Sequence, residues 1–188
     1  MKVYVIRHGE SETNLSKKWT GWMNVPLTDK GKEDAKRAGA FLEHMSFDKI
    51  WTSDLCRAIE TAEIAIPNAD YETSELLREI NVGTLAGEPL SILTGEQKAY
   101  VSKYGYAEFG GETVEQLYDR VEQMMKKLET LECDTVALFC HAGWLRTMFY
   151  KVIGTRVPKE NLCCNNCAIG IFEYTERHWQ LHSWINLT

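Results

Sequence analysis

Val3-Tyr4-Val5-Ile6 is an unbroken apolar run that ends abruptly in Arg7-His8-Gly9-Glu10. Such a run, rich in β-branched and aromatic residues, predicts a short strand buried on both faces. Thr135 to Cys140 repeats the pattern and stops at His141-Ala142-Gly143. Phe47 to Thr52 and the shorter Tyr71 to Thr73 read as two further strands. Helical spacing lies between them. Ala35, Ala38, Gly39 and Leu42 share one face, with Thr28 as N-cap and Asp29 in the first turn. Ser53 is expected to cap a helix that runs to Ile66 and stops at Pro67. Val114, Leu117, Val121, Met124, Met125 and Leu128 keep a 3.6-residue period inside a helix expected from Glu112 to Leu131. Another helix should run from Gly143 to Val152 and end at Gly154. Cys167 to Tyr174 and Trp179 to Ile185 then read as two strands joined near Thr175-Glu176-Arg177.

Strands alternating with helices predict an α/β fold. The expected form is a three-layer α/β/α sandwich around a mostly parallel sheet, with the last hairpin adding an antiparallel edge. Residues 1–188 read as one domain. The periodicity weakens between Ser74 and Glu112, and residues 80–112 are expected to form a partly helical excursion covering the site. The polar segment from Gly9 through Trp19, Trp22 and Leu27 shows neither period. A loop of that length beside a buried strand is usually functional.

Open α/β sheets place ligands at the carboxyl ends of their strands. His8 and His141 each end a core strand, and they face one another only if those strands are neighbours. We expect that they are, with a phosphate group between them. Arg57, near the start of the helix after the second strand, would sit at the same edge as Arg7. Two guanidiniums there would grip a tetrahedral oxyanion through forked, charge-assisted hydrogen bonds. A neutral imidazole beside that anion is a nucleophile toward phosphorus. His141 could donate to the phosphoryl oxygens as charge builds on them. The departing alkoxide needs a proton, and Glu79 is the candidate acid. Taken singly, each residue has a blander reading. A lone strand histidine is usually structural, Arg57 could be solvated, and Glu79 alone says little. Trp19, Trp22, Tyr104, Tyr106 and Phe109 read as packing for the loop cover rather than as a substrate wall.

Composition narrows the classes. With 188 residues, 44% of them hydrophobic and 26% charged, the chain suits a soluble α/β domain. No run is long enough for a membrane helix, and with the first strand expected to begin at Lys2 no signal peptide is expected. The six cysteines show no disulfide-like spacing, so a reduced, cytoplasmic protein is expected. The net charge of −6 disfavours nucleic acid and anionic membranes as partners. A metal on His8, Glu10 and His141 would be repelled by the flanking arginines, so no metal and no cofactor are expected. An exposed edge strand could support a homodimer.

Taken together, these motifs resemble the histidine phosphatase superfamily, its phosphoglycerate mutase-like branch in particular, over essentially the whole chain. Arg7-His8-Gly9-Glu10 is the family signature. Asn14 and the segment from Thr20-Gly21-Trp22 to Thr28 look like the substrate loop of cofactor-dependent mutases. Ser53-Asp54-Leu55 with Arg57-Ala58 and Thr61-Ala62, the acidic block around Glu79, Gly110-Gly111-Glu112-Thr113, and His141-Ala142-Gly143 with Arg146 complete the match. The resemblance implies a phosphohistidine on His8 and a phosphate pocket of Arg7, Arg57 and His141. It also implies Glu79 as acid and then base, with Asn14, Thr20, Gly21 and Ala142 binding substrate. Ala86 stands where many family phosphatases carry glutamate, and Ala142 replaces the usual glycine. The expected activity is metal-independent hydrolysis of a small-molecule phosphate ester. A 2,3-bisphosphoglycerate-dependent phosphoglycerate mutase is the first rival. The substrate loop favours it; the short excursion, which leaves the site open to water, disfavours it. A non-catalytic phosphate-binding module is the second rival, disfavoured because all five catalytic positions are filled.

Overall fold

In the computed structural model, which describes residues 1–187, the first apolar run is β1 (Lys2–Arg7), an interior strand of a six-stranded sheet. The other strands are β2 (Lys49–Thr52), β3 (Glu72–Thr73), β4 (Thr135–Cys140), β5 (Ile169–Thr175) and β6 (His178–Ile185), in the order β3-β2-β4-β1-β5-β6. β1 pairs in parallel with β4, β4 with β2, and β2 with β3. β5 and β6 join antiparallel at the other edge. The mostly parallel sheet with an antiparallel edge is therefore present.

Alternation along the strands splits the core into two layers. Val3 and Val5 of β1, with Val136 and Leu138 of β4, face α5 (Val114–Glu129) and α6 (Ala142–Ile153). Ile6, Ala137 and Phe139 face the opposite way, toward α2 (Asp29–Leu42) and α3 (Cys56–Ala65). α5 buries Leu117, Val121, Met124, Met125 and Leu128, the stripe that its period requires, and leaves its other face wet. Burial of each such side chain contributes roughly 1.5–3 kcal/mol. Thr28 caps α2 by accepting the Gly31 N–H at 3.0 Å.

Several boundaries differ from expectation, each for a local reason. Ser53 does not cap α3. Its own N–H still donates to the Phe139 carbonyl at 2.8 Å, continuing the sheet, so the helix starts later with Leu55 as N-cap. The Asn24 side chain then accepts the Cys56 N–H at 2.7 Å. β5 begins at Ile169 rather than Cys167, because Cys167 is turned into the left-handed region (φ 55°). The segment after His8 contains a short helix, α1 (Glu12–Leu15). Between Ser74 and Thr113 the chain forms 3₁₀ turns and one helix, α4 (Gly95–Tyr104), around a small core of Val82, Leu85, Leu93, Val101 and Tyr106. Backbone hydrogen bonds from Trp19 to Glu88 (2.8 Å), Gly87 to Trp19 (2.8 Å) and Leu90 to Lys17 (2.9 Å) tie this segment to the loop after β1.

Among the described residues, no helix is long and apolar enough to cross a membrane. The centre of the sheet should be where stability concentrates. Truncating fully buried Leu138 to Ala should cost about 2–5 kcal/mol in urea unfolding, while the same change at exposed Leu15 should cost under about 0.5 kcal/mol. Equal costs at the two positions would contradict this account of the core.

Candidate functional site

Parallel pairing brings the two histidines together. Arg7 lies opposite Cys140 in the ladder, and the His8 N–H donates to the Cys140 carbonyl at 3.0 Å. His8 and His141 therefore leave adjacent strands at the same level, with ring centroids 5.1 Å apart and planes inclined at 59°. Both are buried. The Nδ1 of His8 lies 2.6 Å from the Gly9 carbonyl, which fixes the proton there and leaves the Nε2 lone pair free. That lone pair faces the Nε–H of Arg57 at 3.3 Å. Arg57, fully buried on the first turn of α3, donates its remaining nitrogens to the carbonyls of Met23 (2.8 Å) and Gly21 (3.0 Å). Arg7 donates Nη1 to the Cys164 carbonyl at 2.5 Å. Its Nε and both ring nitrogens of His141 are buried without a protein partner among the described residues. Unpaired buried polar atoms are costly, and here they accompany two guanidiniums at one sheet edge. The helices α3 and α6 begin at the same edge and add the positive end of their dipoles.

The electrostatics follow from burial. Desolvation, then the charges of Arg57 and Arg7, hold the His8 imidazole well below its ordinary value of 6.5. Burial and Arg57 do the same to His141. Arg57 falls to about 10, through burial opposed by the Glu79 carboxylate, and stays charged at neutral pH. The site thus combines two neutral imidazoles with fixed positive charge, an arrangement suited to an anion.

Glu79 follows a 3₁₀ turn (Glu75–Leu77) and is half-buried. Its Oε1 accepts the Ile80 N–H at 2.9 Å, and its Oε2 accepts the Gly143 N–H of α6 at 3.1 Å. Glycine at 143 leaves the carboxyl its place: a Cβ there would lie 2.2 Å from Glu79 Oε1 and push that side chain aside. Arg120 of α5 holds the backbone beneath the carboxyl. It donates to the carbonyls of Leu76 (3.0 Å), Arg78 (2.7 Å) and Glu79 (3.1 Å), and it pairs with both oxygens of Glu112. Trp22 donates to the Glu79 carbonyl at 2.6 Å, so the loop after β1 meets the acidic loop here.

The other expected residues fall nearby, with their polar atoms engaged in the loop. Asn14 Oδ1 accepts from Ser11 N–H (3.3 Å) and from Asn166, which also donates to the His8 carbonyl (both 3.2 Å). The Thr20 hydroxyl pairs with Thr13 at 2.7 Å. Gly21 offers its carbonyl to Arg57, and Ala142 opens α6 directly after His141. Glu10 turns away to Thr28 (2.9 Å) and Lys30 (3.5 Å). Gly9 passes close to another backbone rather than to a ligand: a Cβ on it would lie 2.3 Å from the Gly31 carbonyl oxygen, and one on Gly31 would lie 2.0 Å from the Glu10 carbonyl oxygen.

Sequence reasoning missed Arg120, Asn166 and the role of Thr61. The Thr61 hydroxyl accepts the Gly9 N–H at 3.0 Å and donates to the Arg57 carbonyl at 2.6 Å, linking the two ends of the site. Its spacing of four from Arg57 on one helix was the available signal.

The buried neutral imidazoles set the acid limb of stability. Unfolded histidines take protons as pH falls below 6.5, whereas His8 and His141 resist until lower pH. The unfolded state then binds more protons, so stability is full above that pH and declines below it. Urea unfolding across pH 5–8 should show this decline, with a shallower slope for His141→Gln; parallel slopes would refute it.

Comparison with known proteins places this geometry. The family model described as "Histidine phosphatase superfamily (branch 1)" matches residues 3–187. A curated relative from Salmonella choleraesuis (strain SC-B67), named as a probable phosphoglycerate mutase, GpmB, is 29% identical, with 98% of this chain and 90% of that protein covered. Among solved structures, Bacillus stearothermophilus YhfR superposes with a TM-score of 0.85 at 27% identity, covering 96% of this chain and 95% of that one. A phosphoserine phosphatase mutant from Entamoeba histolytica, solved with phosphoserine, gives a TM-score of 0.83 at 24% identity, covering 97% of this chain and 95% of that one. The sheet, the paired histidines and the match across nearly the full length lead to one conclusion: the chain belongs to the histidine phosphatase superfamily.

Proposed function

We propose that this protein is a metal-independent phosphomonoesterase that passes the phosphoryl group of a small-molecule ester through His8. The observation that carries the reading is the orientation of that ring, with Nδ1 held by the Gly9 carbonyl and the Nε2 lone pair turned to Arg57. In the first step Nε2 attacks phosphorus and the ester P–O bond breaks. The bonding pair leaves with the alkoxide, which takes a proton from the Glu79 carboxyl. In the second step water attacks the phosphohistidine while the Glu79 carboxylate accepts its proton. The N–P bond then breaks, its electron pair returns to Nε2, and inorganic phosphate departs. Arg7, Arg57 and His141 surround the phosphoryl oxygens, where charge builds in both transition states. Asn14, Thr20, Gly21 and Ala142 frame the ester.

The rival within the family is transfer to a second hydroxyl of a bound phosphoglycerate, and the name of the Salmonella relative speaks for it. Water access argues for hydrolysis. Trp22, bonded to the Glu79 carbonyl, is still 36% exposed. A pure binding module would have no use for a carboxyl held on a helix N-terminus beside the imidazoles.

Four measurements test the reading. Wild type should release phosphate from an aryl phosphate, and His8→Ala should lower kcat by at least about a thousandfold. The trapped phosphoenzyme should be acid-labile and alkali-stable, and the reverse would exclude nitrogen as the attachment. Bisphosphoglycerate-primed isomerisation that outpaces hydrolysis would instead make the protein a mutase. Gly143→Ala should displace the mobile end of Glu79 at little cost in stability. It should then reduce kcat/KM for an alkyl phosphate about a hundredfold, and for an aryl phosphate with a good leaving group much less. Equal losses on both substrates would separate Glu79 from leaving-group protonation.

A further inference from the structure

Two adjoining cavities lie between α4, α5 and α6, and the inner one reaches Gly143, two residues after His141. The inner one, about 140 Å3, is bounded by Gly143, whose N–H holds the Glu79 carboxyl, and by Ile80, Tyr106 and Arg146. Burial and the Glu79 carboxylate together raise the Tyr106 hydroxyl far above its ordinary value, as expected of a ring close to that acid. The outer cavity, about 670 Å3, carries Lys98, Lys103 and Arg156, with Glu160 the one carboxylate among the described residues lining it. Ser102, Tyr150 and Arg156 line both, so the two adjoin there.

The charge pattern is unusual for this chain. Its net charge is −6, yet Lys98, Lys103 and Arg156 form no ion pair among the described residues. Arg156 is fixed, because its guanidinium donates to the carbonyls of Ser102 and Lys103 near the end of α4. The Lys103 ammonium rests over the Tyr104 ring at 4.8 Å. Like charges gathered around one concave space repel each other and raise the local potential for anions. A neutral alcohol would draw nothing from them.

We propose that the adjoining cavities take the alcohol half of the ester. Lys98, Lys103 and Arg156 then hold a second anionic group, phosphate or carboxylate, on that alcohol. Gly143, which holds Glu79, lines the inner cavity and not the outer one, so the second anion is several bonds from the scissile phosphate. The proposal rests on the phosphomonoester reading of the histidine site, and it names the substrate class.

Phosphonates test it without turnover. Calorimetric titration of wild type would compare an alkyl phosphonate with an α,ω-diphosphonate and an ω-carboxyalkyl phosphonate of equal length, in short and long series. A long dianionic probe should bind about tenfold tighter than its single-headed counterpart. The advantage should shrink with added salt, vanish in Lys98→Gln/Lys103→Gln, and be absent for short chains. Whichever headgroup keeps the advantage identifies the second anion. The double variant should hydrolyse a compact aryl phosphate at the wild-type rate, since neither lysine touches the reacting atoms. Equal binding of single- and double-headed probes, absence of binding by either, or an advantage that survives the double substitution would overturn the proposal. Failure to hydrolyse aryl phosphate counts against the phosphatase reading alone, because the binding comparison does not depend on it.

Discussion

The parallel register between β1 and β4 is the constraint on which the site depends. Arg7 opposite Cys140 puts His8 opposite His141. Side chains alternate along a strand, so a slip of one residue would turn every side chain of β1 to the other face. Val3 and Val5 would exchange places with Tyr4 and Ile6, and neither helical layer could accept the result. The same packing that makes the core therefore fixes the separation of the two imidazoles. The geometry of the pair is set by two buried strands.

Around this pair the protein gathers cationic groups inside an acidic molecule. Arg57 is tethered by the carbonyls of Met23 and Gly21, and Arg7 by that of Cys164. Carbonyl oxygens orient the guanidiniums without neutralising them, which carboxylates would do. Glu79 is kept apart by a different device. Its backbone hangs on Arg120, whose charge is balanced by Glu112, and its carboxyl rests on amide hydrogens. The positive and negative parts of the site are held by separate elements, so neither collapses onto the other as a simple ion pair.

Much of this was legible in the sequence, for reasons that particular residues make clear. Apolar runs that stop at Arg7-His8 and Cys140-His141 announce both the strands and what their ends carry. The stripe from Val114 to Leu128 announces α5. The Ser53 boundary failed because a good capping residue was also the last rung of a strand, and composition does not decide between the two. Arg120 was illegible because it acts on carbonyls of residues more than forty positions away, and any side chain could supply those. Asn166 was hidden for the same reason. The pairing of residues 17–19 with 87–90 joins two segments that each lack periodicity, so neither predicted the other.

The contact between Gly9 and Gly31 carries a consequence for anyone who would redesign this protein. Each α-carbon faces backbone atoms of the opposite segment, not a side chain that could be trimmed. No second substitution can make room for a methyl group at either place, because main chain cannot be mutated away. A combinatorial library that randomised these two codons would return the parent pair, and the turn carrying His8 would travel with the start of α2 as one rigid piece.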